Sequence, residues 1–219
     1  MHMNCLSTIG TTKKPRDVLP DIWYKLNGDI LDYGLSNFGK SGATVTTTFG
    51  QQYTVYLNRR AYQFFPDTYS TGNYISLPAK LTRSPTMTFS CFINVNPITP
   101  SVRIFDFGTS FQLHIVDATT ITINNAFSIP LQSTMFNAWK HIAFTVNKLE
   151  LIVYENGVMI STITMINEVA SDASFGFIGH PYEVAFKNYS GIMSDFRIYK
   201  RVLSSTEISD IFQKNPTLI

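Results

Sequence analysis

The chain has 219 residues, of which 44% are apolar, 14% aromatic and only 15% charged, with 17 basic against 15 acidic side chains and a net charge of +2. So small a charge excess excludes a dedicated nucleic-acid binder, and so high an apolar content excludes a disordered chain. Two cysteines cannot form a disulfide scaffold, and no run of about 18 apolar residues would span a bilayer as a helix. Met1 to Asn4 and the residues that follow lack the apolar stretch of a signal peptide. Thr8–Pro20 reads TIGTTKKPRDVLP, without helical or strand period. Residues 1–20 are therefore expected to be an extended arm, with one domain over 21–219. Lys13, Lys14 and Arg16 would suit docking of that arm on an acidic partner surface.

From Ile22 onward the pattern is short strands between turn residues. Thr86–Val95 alternates, with Met87, Phe89, Cys91, Ile93 and Val95 on one side and Thr88, Ser90, Phe92 and Asn94 on the other. Period two predicts a half-buried strand. Further strands are predicted near Val102–Phe107, Phe111–Val116, Thr120–Asn124, Trp139–Val146 and Leu149–Glu155. Asn156-Gly157 predicts a type I′ turn, because both residues tolerate positive φ. Val158–Met165 is the return strand, and Phe175–Ile178 and Gly191–Tyr199 complete the series. One segment reads as helix: Ser204 as N-cap and Glu207 form a capping box, Ile208, Ile211 and Phe212 form a stripe, and Asn215-Pro216 ends it. The fold class is all-β, a two-sheet antiparallel sandwich with one short C-terminal helix.

The order of motifs is recognisable. Trp139-Lys140-His141-Ile142-Ala143 is followed by Leu151-Ile152-Val153-Tyr154-Glu155-Asn156-Gly157, then Ile178-Gly179, then Gly191-Ile192-Met193-Ser194-Asp195-Phe196-Arg197-Ile198-Tyr199. Leu203-Ser204 and Glu207-Ile208 close the series, while Tyr24 to Gly34, Gly72 to Pro78 and Thr86 to Ile93 match in the first half. Over Ile22 to Phe212 this resembles the laminin-G-like, concanavalin A-like lectin/glucanase jelly rolls. The resemblance implies a jelly roll of about a dozen strands that binds glycans or proteins through rim loops, sometimes with calcium. Leu-Pro-Asp-Ile-Trp-Tyr-Lys early and Arg-Ile-Phe-Asp-Phe-Gly mid-chain are similar to stand-alone members in large DNA viruses. That similarity implies an alternative role in virion assembly, through the jelly roll and the N-terminal arm. It would place the protein in the virion or in the cytoplasm of an infected host.

Hydrolysis on this scaffold needs two carboxylates flanking the scissile bond. Glu150 and Glu155 are five apart, on opposite sides of a regular strand, and Asp106 has no acidic neighbour two or four residues away. A glycosidase is therefore the least favoured reading, and no catalytic residue is assigned. His2, His114, His141 and His180 show no zinc spacing; His141 is expected to pack on Trp139, and Cys91 to be a reduced core thiol. Calcium suits the Asn27, Asp29 and Asp32 loop, with Asp195 as the residue that the resemblance places nearby. Ser194 stands where relatives often have a further acid, and Asp29 and Asp32 also read as ordinary turn formers.

Sugar binding asks for an aromatic to stack on the ring and polar groups for the hydroxyls. Loop candidates are Tyr69, Asn73 and Tyr74, and Tyr182, Asn188 and Tyr189, whereas Trp23 and Trp139 are assigned to the core. Asn188-Tyr189-Ser190 is a formal glycosylation sequon. The functional expectation is a non-catalytic, lectin-like module for a glycan or protein partner, without nucleic acid or membrane.

Overall fold

A computed structural model describes residues 19–28, 30–31, 33–35, 44–46, 53–56, 59–65, 74–77, 86–97, 102–107, 111–165, 176–179 and 187–214. In chain order the elements are β1 (Ile22–Tyr24), β2 (Thr44–Thr46), β3 (Tyr53–Tyr56), β4 (Arg59–Phe64), β5 (Tyr74–Leu77), β6 (Thr86–Val95), β7 (Val102–Asp106) and β8 (Gln112–Asp117). They continue with β9 (Thr120–Ile123), β10 (Phe127–Pro130), β11 (Lys140–Asn147), β12 (Glu150–Glu155), β13 (Val158–Thr164), β14 (Gly176–Ile178), β15 (Lys187–Asn188), β16 (Gly191–Tyr199) and α1 (Ser205–Gln213). The first sheet runs β13-β12-β11-β6-β16-β4-β3, with β1 also on β16. The second runs β10-β9-β8-β7-β14-β5-β2, with β15 also on β7. The β15–β7 ladder is parallel and the other strand ladders are antiparallel. This is the expected jelly-roll sandwich with one helix.

The alternation read from Thr86–Val95 is the actual inner face of β6: Met87, Phe89, Cys91, Ile93 and Val95 are all buried in the core. Phenylalanines from both sheets meet there. Phe89 lies 5.0 Å from Phe144 of β11, 5.5 Å from Phe105 of β7 and 5.2 Å from Phe111, ring centre to ring centre. Each such ring removes enough apolar surface from water to contribute about 2–3 kcal/mol. Cys91 is a buried thiol among these residues, and burial, reinforced by Asp195, pushes its pKa up to about 12. Since the thiolate is the nucleophile, Cys91 in the native protein is expected to resist iodoacetamide at pH 8 and to react only after denaturation. Peptide mass mapping reads this; native alkylation of the Cys91 peptide would contradict the packing.

The other side of β6 departs from expectation, because Thr88, Ser90, Phe92 and Asn94 are buried as well. The helix and its approach cover that side. Thr88 Oγ1 donates to the Arg201 carbonyl (2.8 Å) and accepts from the Leu203 amide (3.0 Å), so a strand hydroxyl anchors the segment leading into α1. The capping box forms as read: Ser204 Oγ accepts from the Glu207 amide, and Glu207 Oε2 accepts from the Ser204 amide at 2.8 Å. The Arg201 fork on the same carboxylate, with the Ser204 amide, brings the Glu207 pKa down to about 2. Ile208 and Ile211 then pack with Leu203 onto Ala143, Tyr154 and Tyr199.

The Asn156-Gly157 turn has φ of +50° and +79°, as its composition predicts. Gly157 is needed twice over. A Cβ there would also lie 3.2 Å from Phe212 and Ser209 of α1. Of the predicted arm, only Leu19 and Pro20 belong to the described residues. Pro20 is buried and its carbonyl accepts from the Leu35 amide, so the chain is already docked there.

Candidate ligand-binding face

The two outer faces of the sandwich differ in kind. That of the first sheet is closed by α1 and by stacked cations and rings: the Arg59 guanidinium lies 3.7 Å from the Phe92 ring centre and donates to Ser194 Oγ at 2.8 Å. His141 sits against Phe92 (4.7 Å) and Phe212 (5.9 Å), with Nε2 2.8 Å from Ser90 Oγ. Burial, with Arg197 and Arg59 nearby, pushes the His141 pKa down to about 3, so the ring is neutral. The expected partner, Trp139, is half-buried and has Arg59 5.1 Å from its ring centre. Trp23 is half-buried too, between Lys25 (4.9 Å) and Arg197 (4.7 Å). Neither tryptophan belongs to the inter-sheet core assigned to it from sequence. Both lie on the first sheet's outer side, where their rings cover cations.

The outer face of the second sheet is polar. Its key is a β-bulge in β7: the register steps from Arg103↔His114 to Phe105↔Leu113, leaving Ile104 as the extra residue. Ile104 and Phe105 both enter the core. Arg103 and Asp106, three residues apart and on opposite sides of a regular strand, are thereby brought to the same face. Arg103 Nε lies 3.6 Å from Asp106 Oδ2, and both side chains are 0% exposed. Arg103 Nη1 donates to Gln112 Oε1 (2.7 Å) and Asn125 Oδ1 (3.3 Å), and Asn124 Oδ1 accepts from the Gln112 amide (2.9 Å). Asn124 and Asn125 can do this because the β9–β10 turn holds them at φ of +52° and +54°, a region asparagine tolerates.

Aromatics flank this network. Phe177 of β14 stands opposite Asp106 in register, and Ser76 of β5 stands opposite Phe177. Tyr74 packs edge-on against Phe177 at 5.6 Å. Tyr74, Ser76 and Phe177 are half-buried and Asn125 is exposed, whereas Arg103, Asp106, Gln112, His114, Thr122 and Asn188 are buried. His114 lies opposite Arg103, Thr122 opposite His114, and Asn188 of β15 opposite Arg103.

Of the residues nominated from sequence for ligand contact, the structure brings Tyr74 and Asn188 to this face. Tyr69, Asn73 and Tyr182 lie outside the described residues, as do Asp29 and Asp32. Tyr189 is a correction. It is buried in the core against Phe64 (5.3 Å), and its hydroxyl lies 3.0 Å from the Asn94 carbonyl and 2.9 Å from that of Ile192. Read as loop, Asn188-Tyr189 is in fact a strand end, so the two side chains take opposite sides. The sequon is shielded in the folded domain, since Asn188 and Ser190 are both buried.

Asp195 is the second correction. A bulge in β16, with Asp195 at φ +59°, turns its carboxylate toward Trp23 and Arg197. Oδ1 accepts from Trp23 Nε1 (2.6 Å) and Arg197 Nε (2.9 Å), and Oδ2 lies 2.8 Å from Arg197 Nη2. A carboxylate neutralised by a guanidinium does not fit as a hard oxygen ligand for calcium, and no chemistry is derived through that ion. Among the described residues no group of three His, Cys, Asp or Glu side chains could hold a metal. The buried strand acids Asp106, Glu155 and Asp195 are matched to Arg103, Lys140 (2.7 Å) and Arg197. No helix among the described residues is long and apolar enough to cross a membrane.

Sequence reasoning missed Phe177, Arg103, Gln112 and His114. The alternation of Gln112 and His114 with Leu113 and Ile115 was a usable signal, but the bulge that re-aims Asp106 left none.

Two stacked sheets, one of them covered on its outer side by a helix, define a two-layer β-sandwich of jelly-roll type. The family model of the concanavalin A-like lectin/glucanases superfamily matches residues 69–209, and the chain belongs to that superfamily. A comparison with curated protein sequences finds no match. Among solved structures, domain 4 of AbnA, an extracellular arabinanase from Geobacillus stearothermophilus, in complex with arabinotriose, is similar at TM-score 0.69 and 20% identity, covering 89% of this chain and 98% of that one. The binding domain of botulinum neurotoxin DC in complex with rat synaptotagmin II is similar at TM-score 0.68 and 12% identity, covering 90% of this chain and 52% of that one. The ligand binding domain of botulinum neurotoxin serotype D in complex with N-acetylneuraminic acid follows at TM-score 0.61 and 16% identity, covering 90% and 51%. This chain thus spans about half of the neurotoxin domains, and the likeness to all three is one of fold.

Proposed function

We propose that this protein is a non-catalytic glycan-binding module whose second sheet receives the sugar on its outer face. The observation that carries the reading is the pairing of Tyr74 and Phe177 beside the Arg103–Asp106–Gln112–Asn125 network. Sugar rings have apolar faces that stack on aromatics and hydroxyl rims that need fixed donors and acceptors. The face has both: the aromatics stand on strands, and Asn125 of the β9–β10 turn joins the polar network. Asn188 adds an amide, and Tyr69, Asn73 and Tyr182, from the segments preceding β5 and β15, are proposed as rim contacts. Catalysis is disfavoured, because Asp106 is paired with Arg103 and its register neighbours Gln112 and Phe177 are not acids. The neighbours solved with arabinotriose and with N-acetylneuraminic acid support a sugar ligand. Virion assembly through residues 1–20 has no observation in its favour.

A glycan array followed by calorimetry on the full chain tests this. Wild type is expected to bind at least one oligosaccharide, and Phe177→Ala and Tyr74→Ala each to weaken binding on the order of tenfold through lost stacking. Their melting temperatures should stay near that of wild type. An array with no hits, or variants that bind as wild type does, would overturn the assignment.

A further inference from the structure

We propose that two copies of this chain associate through the free edge of β13, which pairs antiparallel with its own copy about Ile163 and joins the two first sheets into one. β13 ends the first sheet, and among the described residues no strand takes its outer side. It is the longest of the sheet-end strands, with 7 residues against 3 in β2, 4 in β3 and 4 in β10. An open edge holds backbone donors and acceptors ready for another strand, and proteins commonly block it with charge or proline. β10 carries Pro130, whereas Val158–Thr164 has neither a charged residue nor a proline.

The hydrogen-bond phase of the strand fixes which groups are on offer. The Met165 amide donates to the Leu149 carbonyl at 2.7 Å, one step beyond the Glu150↔Thr164 pair. Bonded and non-bonded pairs alternate along an antiparallel ladder. Met165, Ile163 and Ser161 therefore turn their backbone groups toward β12, and Thr164 and Thr162 turn theirs outward. Thr162-Ile163-Thr164 also reads the same in both directions. Laid antiparallel on its copy, it sets each Thr162 against the copy's Thr164 as a bonded pair, with Ile163 against Ile163 between them.

The side chains suit that register. Ile163 is half-buried and packs on the core, so its remaining surface meets its counterpart and continues the core across the junction. Thr162 and Thr164 are exposed on the other side and become cross-strand hydroxyl pairs. Glu150 lies behind Thr164, in a row that continues through the copy's Thr162 and Ile152, so it does not meet its own counterpart. The bulge that leaves Ile160 as an extra residue bends the far end of the strand, where a Cβ on Gly157 would meet Ser209 and Phe212 of α1. That end stays outside the pairing. A palindromic, uncharged edge favours its own copy over a foreign strand, because the two-fold axis places identical residues in register. This axis stands perpendicular to the joined sheet, so both second sheets lie on the same side of it. Resting on the glycan-binding reading, the dimer presents two receiving faces in one direction, which suits a surface of repeated glycans.

Sedimentation velocity on the full chain tests the association. Wild type is expected to pass from monomer to dimer with a Kd on the order of 100 µM, since so short a pairing buries less than the roughly 1,200 Å² of a standard interface. Thr162→Pro removes an N–H that only the dimer uses, and is expected to weaken association about tenfold or more with a melting temperature near that of wild type. Val55→Lys, an exposed change on β3, is expected to leave association unchanged. Ile163→Cys in a Cys5→Ser background, treated with oxidised glutathione, is expected to give a dimer linked through position 163, two thiols being oxidised as one glutathione disulfide is reduced to two thiols. Facing residues of a non-bonded pair have the Cβ separation that a disulfide spans. A wild type that stays monomeric at about 500 µM, five times the expected Kd, would overturn the proposal. So would a folded Thr162→Pro protein that dimerises as wild type does, or an equal loss in Val55→Lys. If Thr162→Pro fails to fold, the cross-link decides, and its absence overturns the pairing. The glycan array reads the other assignment separately, since a monomer that binds sugar keeps the receiving face and loses only the dimer.

Discussion

Phe89→Ala is expected to lower the stability of the domain by about 3–5 kcal/mol, measured by urea denaturation, and to reduce the melting temperature by roughly 10 °C. Phe89 sits on β6, a central strand of the first sheet, and is 3% exposed. Its ring touches four others from both sheets: Phe105, Phe107, Phe111 and Phe144, all within 5.7 Å between centres. Truncation removes one ring and strips a contact from each of four neighbours that the backbone holds in place, so the cavity cannot collapse well. Phe89→Leu should cost clearly less, because most of the volume remains. Equal losses for the two variants would mean that the cluster is less tightly packed than its ring distances state.

Arg197→Met is expected to cost about 3–5 kcal/mol by a different route. Asp195 is fully buried, and two of its closest donors are the nitrogens of Arg197. Removing the guanidinium leaves a carboxylate in the interior with the Trp23 indole as its remaining side-chain donor. The same substitution takes away the cation 4.7 Å from the Trp23 ring, on a strand that pairs directly with β16. Trp23 fluorescence should therefore shift to the red as β1 loosens, with Trp139 as the second, unaffected emitter. The decisive comparison is the double variant Asp195→Asn with Arg197→Met. It removes both charges and keeps a residue tolerant of φ +59° at position 195. It should be more stable than Arg197→Met alone. Failure to recover would show that the pair acts through packing rather than charge.

Much of the fold was legible because it rests on local rules. Period two in Thr86–Val95 gave the inner face of β6, Asn156-Gly157 gave the hairpin, and Ser204 with Glu207 gave the start of α1. Each depends on residues a few positions apart, where alternation, φ tolerance and capping operate. The candidate site was legible only in part. Tyr74 and Asn188 were nominated as loop residues and reach the face as strand residues, while Tyr189 was nominated beside Asn188 and points into the core. Asp195 matched a ligand pattern but is occupied by Arg197.

By itself the sequence determined the strand pattern and the two-layer architecture, which follow from hydrophobic period and turn chemistry, while the order of its motifs carried the resemblance to the superfamily. The low charge also acquires its cause there: the inner faces are aromatic, and the outer strands are covered with Ser, Thr and Asn. Only the tertiary structure decided which side chains share an outer face and which acids are neutralised. Two bulges made that decision. The extra residue Ile104 aligns Arg103 with Asp106, and the turn at Asp195 aligns it with Arg197 and Trp23. A bulge reverses the side on which every following residue emerges, and its position is chosen by the packing of neighbouring strands, not by the residues it re-aims.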